Sequence, residues 1–399
     1  MFNNPTFVQG YFPNGQALYL QSNLSQYLET SYVNLTYRSW TVSLWMYVLS
    51  FNTQDSSIVG ECVGPVQTDH CLHLNIRNMK LYMAFYSDDI SGTTILQLNQ
   101  WYHVSFVYDY SIKGKFIYLD GILNGVSNSL PGGTFNVTVG NLTIGRNLVI
   151  RTPLNYFNGY LDSLVFTDSV RTACDIMNDA TLAAYYSMDL TLADSGPNSL
   201  NAQASGQTNY MNGHMNQAFE FNSANSYFQA GYGFTFLGVN NQAYSFSLWL
   251  NPIALTGTVL HVSSLNTGLG WCLPVIGFSL SGSIIAQTLD STLSVITAQG
   301  PILDLNTWTH FVITWSSTNG LQLYINSLLV ATVSVTSFAA NNGTILPKYV
   351  TLVNPLSGAS CQQQGLIGAP GQFFGRIDEV YIFRKELTTD DVCVLYYYK

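Results

Sequence analysis

LNQWYHVSFVYD at Leu98–Asp109 returns, with substitutions, as LNTWTHFVITWS at Leu305–Ser316. The alignment places Trp101 on Trp308 and His103 on His310, and both stretches alternate apolar and polar residues. Alternation with period two marks a strand with one buried face, because successive side chains leave a strand on opposite sides. Working outward, WTVSLWMYV (Trp40–Val48) matches YSFSLWLNP (Tyr244–Pro252), and KFIYLDG (Lys115–Gly121) matches LQLYINS (Leu321–Ser327). FNGYLDSLVF (Phe157–Phe166) matches FFGRIDEVYI (Phe373–Ile382), which aligns Gly159 with Gly375 and Asp162 with Asp378. Blocks that repeat in the same order identify a tandem duplication. The expected units are 1–183 and 184–399. Turn residues such as Asp120-Gly121 and Asn319-Gly320 separate the blocks, and many short strands between turns imply antiparallel β-sandwiches. Helices are expected only over Thr172–Ala183 and Thr388–Tyr396.

Composition narrows the function classes. Of 399 residues, 13 are Lys or Arg and 22 are Asp or Glu, a charged fraction of 9% against roughly 25% in ordinary soluble chains. The 26 Tyr and 22 Phe exclude a disordered chain. A net charge of −9 argues against nucleic acid and anionic membranes, which need basic patches. No apolar run is long enough to span a bilayer, so membrane insertion is not expected. MFNNPTFVQGYFPNGQ at the start has neither the basic region nor the apolar region of a signal peptide.

Other features point outside the cell. Asn-x-Ser/Thr sequons stand at Asn23, Asn34, Asn136, Asn141 and Asn342. Six cysteines are present. Cys62 and Cys71 flank a Gly/Pro-bearing loop and are placed to clip it. Cys272 and Cys361 are the other disulfide candidates, leaving the pairing of Cys174 and Cys393 open. No spacing suited to a zinc site occurs. An extracellular or cell-surface glycoprotein is the expectation.

Each half resembles a laminin-G-like domain of the concanavalin A-like lectin/glucanase superfamily. The resemblance is carried by AFEFNSANSYF (Ala218–Phe228), SFSLWL, LNTWTHFVITW, LYIN and GRIDEVYIFRKELTTDDV (Gly375–Val392). ALYLQSNLSQYL, SLWMYV, LNQWYHVSFVYD, IYLDG and GYLDSLVF carry it in the first half. It implies an all-β chain of two tandem antiparallel jelly-roll β-sandwiches. The related glucanases carry Glu-x-Asp-x-x-Glu on one strand, and neither Asp162 nor Asp378 has that company. No catalytic residue is therefore assigned, and both aspartates are read as acceptors of neighbouring backbone N–H groups, with His103 and His310 as structural residues.

The same resemblance implies calcium as a candidate cofactor. Asp89 and its counterpart Asp290 are read either as solvated loop carboxylates or as calcium ligands, while Gln21 and Asn222 stand where relatives often carry Asp. Trp271 lies outside the repeated strands and is read either as a surface ligand contact or as a core residue. The second half opens with AAYYSMDLTLADSGPNSLNAQAS (Ala183–Ser205), which the first half lacks. The terminal CVLYYYK resembles that opening and is expected to complete a neighbouring subunit or to pack on its own domain. Two functions follow: a self-associating structural or adhesive glycoprotein, with filaments as one outcome, or a lectin-like protein binding glycans. Its partners are then itself, glycans or extracellular proteins.

Overall fold

The computed structural model describes every residue except 12–14, 53–54, 63–69, 86–87, 128–132, 138–139, 148–154, 207, 232, 340–348, 362–364, 369–370 and 398–399. Two compact units divide the chain at Ala180/Thr181. That is three residues before the expected boundary, because Leu182–Tyr186 pairs within the second unit.

Unit 1 begins with β1 (Thr6–Gln9), β2 (Gln16–Leu20), β3 (Leu28–Thr30) and β4 (Trp40–Val48). Next come β5 (Asp55–Cys62), β6 (Cys71–Arg77), β7 (Lys80–Ala84) and β8 (Ile90–Ser91). It closes with β9 (Trp101–Asp109), β10 (Gly114–Leu119), β11 (Ile122–Ser127), β12 (Leu142–Ile144), β13 (Gly159–Thr167) and helix α1 (Ala173–Thr181). The sheet order β1-β2-β13-β4-β9-β10-β11 forms one layer and β3-β12-β5-β6-β7-β8 the other.

Unit 2 begins with β14 (Leu182–Tyr186), β15 (Ala202–Ser205), β16 (Thr208–Asn212), β17 (Gln217–Phe221) and β18 (Tyr227–Ala230). β19 (Tyr244–Pro252), β20 (Thr258–Ser263), β21 (Cys272–Phe278), β22 (Ser283–Leu289) and β23 (Val295–Ile302) follow. The unit ends with β24 (Thr309–Ser316), β25 (Gly320–Ile325), β26 (Leu328–Val333), β27 (Tyr349–Leu352), β28 (Gly375–Phe383) and α2 (Thr389–Tyr397). Its layers run β16-β17-β28-β19-β24-β25-β26 and β15-β18-β27-β20-β21-β22-β23. Strand for strand this is the order of unit 1, with β14 and β15 added. Both units are jelly-roll sandwiches, as the repeat implied.

The alternation does what the sequence required. In β4, Val42, Leu44, Met46 and Val48 enter the core of unit 1, and in β19 Phe246, Leu248 and Leu250 enter that of unit 2. A left-handed residue, Ser163 (φ 50°) or Glu379 (φ 51°), makes the same bulge in β13 and in β28. Such a bulge breaks the ladder once and lets two strand partners succeed each other along one edge.

Both helices open with the same reciprocal cap. The Thr172 hydroxyl accepts from Asp175 N–H while Asp175 accepts from Thr172 N–H, and Thr388 with Asp391 repeats the pattern. The terminal segment is accordingly a helix over Thr389–Tyr397, as expected for Thr388–Tyr396, and its likeness to the Ala183 opening is one of sequence only. Val392 and Leu395 are three apart on one face and pack on Leu182, Val312, Tyr324 and Phe383 of their own unit. The tail is thereby committed within unit 2 rather than held out for a neighbour.

Candidate functional site

The outer face of the β13-β4-β9 layer carries its side chains in rows that cross the strands. One row is common to both units. Asp162, Trp45 and His103 face each other in register across β13, β4 and β9, and Asp378, Trp249 and His310 do so across β28, β19 and β24. The tip of the preceding hairpin folds over the tryptophan. Tyr11 stacks on Trp45 at 3.6 Å and its N–H donates to Asp162 Oδ2 at 2.8 Å. In unit 2, His214 stacks on Trp249 at 3.4 Å and Met215 N–H donates to Asp378 Oδ2 at 3.0 Å. Glycine precedes each stacked ring for a steric reason. A Cβ at Gly10 would lie 2.3 Å from Asp162 Oδ2, and one at Gly213 2.5 Å from Asp378 Oδ2. The aspartates thus tie a hairpin to the sheet by accepting backbone N–H bonds.

The next row differs between the units. Tyr19, Tyr160, Tyr47 and Trp101 lie side by side across β2, β13, β4 and β9. Ring centroids are 5.0 Å apart from Tyr19 to Tyr160, 5.3 Å from Tyr160 to Tyr47 and 5.5 Å from Tyr47 to Trp101. Tyr11 joins the end of the row, 5.6 Å from Trp101. All five residues are half-buried. With strands about 4.8 Å apart, the four in-register rings make a strip roughly 14 Å long. Burial raises the Tyr160 phenol above its ordinary pKa, and the Tyr19 and Tyr47 phenols add to the shift. The Tyr160 phenol is therefore uncharged at neutral pH. In unit 2 the same register positions hold Glu220, Arg376 and Asn251, with Trp308 the aligned counterpart of Trp101. There Arg376 Nε meets Glu220 Oε1 at 3.0 Å, so an ion pair replaces two rings.

Sequence reasoning did not single out this strip. Each ring is an ordinary outward residue of its own strand, and only knowledge of which strands are neighbours brings them together.

The residues that were singled out fall elsewhere. Cys62–Cys71 and Cys272–Cys361 are disulfides, and Cys174 and Cys393 are free. A buried histidine sits beside each disulfide, His73 in unit 1 and His261 in unit 2, with ligand-type atoms within 4.8 Å of one another. Zinc would require the thiolates that the disulfides consume. Asp89 is exposed and hydrogen-bonds the Tyr82 phenol. Asp290 closes its own turn, accepting from Thr292 N–H at 2.8 Å and Ser294 N–H at 2.9 Å. Calcium takes six to eight oxygen ligands, and neither aspartate belongs to a group of three His, Cys, Asp or Glu side chains among the described residues. Trp271, read either as a surface contact or as core, is half-buried against the core and lines an apolar cavity of about 10 Å³ with Leu237, Tyr244 and Phe338. Asn23, Asn34 and Asn141 are exposed and Asn136 is half-buried, while Asn342 lies outside the described residues.

The buried row has a pH consequence. Burial lowers His103 and His310 to about 3, reinforced by the Arg171 and His214 charges respectively, and lowers His261 to about 4. Their folded values lie below the ordinary 6.5, so the stability they contribute is complete above that value and is lost as pH falls. Burial acts oppositely on Glu61 and Asp378, raising each to about 7. Their contribution is complete below the ordinary carboxylate range, near 4, and is lost as pH rises through about 7. The two sets oppose each other between about pH 4.5 and 6, and below that window only the histidines still act. Melting temperature is expected to change little across the window and to fall steeply toward pH 3. The double variant His103→Asn/His310→Asn should flatten that fall, and an unchanged acid limb would refute the assignment.

A sequence profile for a laminin-G-type family, described as the concanavalin A-like lectin/glucanases superfamily, matches residues 21–177 and 222–393. The chain belongs to the concanavalin A-like lectin/glucanases superfamily. Both copies of this superfamily domain carry the Asp-Trp-His row, and only the first carries the aromatic strip. Among solved structures, the chain is similar to domain 4 of AbnA, a GH43 extracellular arabinanase from Geobacillus stearothermophilus, in complex with arabinotriose. Identity there is 20% and the TM-score 0.35, over 54% of this chain and 97% of that one. It is also similar to the binding domain of botulinum neurotoxin DC in complex with SialylT, at 18% identity and TM-score 0.40, over 55% and 51% of the two chains. The binding domain of Paraclostridial Mosquitocidal Protein 1 gives 15% identity and TM-score 0.41, over 55% and 52%. The chain thus spans about half the length of the two toxin binding domains. No curated protein sequence matches it.

Proposed function

We propose that this is a non-catalytic, extracellular carbohydrate-binding protein in which unit 1 holds an uncharged glycan along the Tyr19–Tyr160–Tyr47–Trp101 strip. The in-register row of four half-buried rings is the observation that carries the reading. An aromatic ring offers an apolar face to the C–H side of a sugar, and phenol hydroxyls bond to sugar hydroxyls at the rim. No charged side chain stands in the row, so a neutral saccharide is favoured over an acidic one. Unit 2 carries the Glu220–Arg376 pair in the same place and is assigned no part in this contact. Two disulfides accord with work outside the cell. Immobilised neutral and sialylated glycans distinguish the outcomes. Saturable binding to a neutral set, retained in chelator, is expected, and failure to bind any glycan would end the proposal.

A second reading, self-association, rests on the sheet edges. The edge strands β11 and β26 expose Ile122, Leu123 and Val126, and Leu328, Leu329 and Val330, and neither strand contains Lys, Arg or Pro. Such edges lack the usual defences against pairing. Sedimentation of the chain over a concentration series tests this, and a monomer throughout would refute it.

A further inference from the structure

The bulge divides the free edge of β28 between two partners. Before the bulge, Gly375, Arg376 and Ile377 pair with β17; after it, Val380–Phe383 pair with β14. β13 has the same bulge and the same first partner, since Gly159, Tyr160 and Leu161 pair with β2. Beyond the bulge, Val165–Thr167 have β4 on one side. Among the described residues no strand pairs with Leu164–Thr167 on the other.

Burial records the difference. Val380, Tyr381 and Ile382 are 1%, 3% and 0% exposed, whereas their counterparts are half-buried Leu164, Val165 at 51% and half-buried Phe166. Leu164 and Phe166 pack against the core of unit 1 without being sealed by it. In unit 2 the sealing is done by Ala183, Ala184 and Tyr186, which enter the core. Tyr185 points the other way, stacked on Tyr381 at 4.2 Å with its hydroxyl on Glu379.

We propose that the Leu164–Thr167 edge of unit 1 is a docking groove for an extended, uncharged segment of a partner polypeptide, seated as β14 is seated in unit 2. The other copy of the domain specifies the occupant. Transferring the β14 register places its Leu182 position opposite Thr167, Ala184 opposite Phe166, Tyr185 opposite Val165 and Tyr186 opposite Leu164. The partner needs a small residue facing the core at the Ala184 position, since Phe166 occupies the space that Ile382 leaves in unit 2. Main-chain hydrogen bonds along the edge supply affinity, and the inward positions supply selectivity. No charged residue occurs among Leu164–Thr167, so nothing at the groove rewards charge on the segment. A second copy of the chain is a poor donor, because its own Leu182–Tyr186 is already paired with its β28.

The probe is a capped peptide with the sequence Thr181–Met188, added to the full chain, with amide hydrogen exchange as the readout. Saturable slowing of exchange at Leu164–Thr167, by roughly tenfold or more, is expected. A peptide carrying Ala184→Lys should give no slowing, because it would bury an unpaired charge. Unchanged exchange at these amides up to the solubility limit overturns the proposal, as does equal protection by the Lys peptide. Protection already present without peptide and lost on dilution would name a second copy as occupant, and would also overturn it. Glycan binding is not part of the readout, so this result stands apart from the fate of the aromatic strip.

Discussion

Trp101→Ala is expected to weaken glycan binding to unit 1 by about tenfold or more, equivalent to about 1.4 kcal/mol. Trp101 is half-buried on the outer face, so its removal takes away a stacking surface without opening the core. A stronger test grafts the unit 2 solution onto unit 1. Tyr19→Glu with Tyr160→Arg reproduces the Glu220–Arg376 pair at the same two register positions, where unit 2 shows it to be accommodated. This double variant should keep its melting temperature within a few degrees and lose measurable glycan binding. Trp308→Ala, at the position equivalent to Trp101, should leave binding unchanged. Equal losses from Trp101→Ala and Trp308→Ala would show that the strip is not the site.

The largest stability effect is expected at Asp88. Lys115 is 2% exposed; its ammonium donates to the Asp88 backbone oxygen at 2.9 Å, pairs with the Asp88 carboxylate and lies 4.5 Å from the Phe85 ring centroid. The same carboxylate accepts from Gly133 N–H at 2.8 Å and Phe85 N–H at 3.3 Å. Asp88→Ala strands a buried cation and removes the acceptor of two backbone donors, at a cost of about 3–5 kcal/mol. Lys115→Met removes the cation, keeps the stem packed and leaves Asp88 with both backbone donors. The Asp88 side chain is 18% exposed and keeps both backbone donors, so the carboxylate left behind is partly solvated and the cost is expected to be smaller than that of Asp88→Ala. Denaturant unfolding followed on unit 1 separates the two, and a Lys115→Met variant as unstable as Asp88→Ala would refute the argument.

The Asp88-Asp89 pair shows how far sequence reading reached. Asp88 and Asp89 are adjacent in the sequence, which singles out Asp89 as the candidate ligand. Asp88 holds the buried ion pair, because the fold brings Lys115 of β10 and Gly133 to it over 27 and 45 residues of chain. The cysteines were easier. Cys62 and Cys71 end one strand and begin the next, so the short loop between them already holds them near each other. The helix caps were local as well, since Thr172 and Asp175, or Thr388 and Asp391, need only three residues of chain to meet.

Read alone, the sequence determined the duplication, the period-two strands, their order in each unit and the structural role of His103 and His310. These follow from alternation and spacing, which are properties of short stretches. The tertiary structure decided everything that depends on which strands are neighbours. It lined up Tyr19, Tyr160, Tyr47 and Trp101 from strands that begin at residues 16, 159, 40 and 101. It also left Leu164–Thr167 half-exposed where the second copy is sealed by β14. A row across a sheet is written along the hydrogen-bonding direction, perpendicular to the chain, and a single strand's sequence holds only one residue of it.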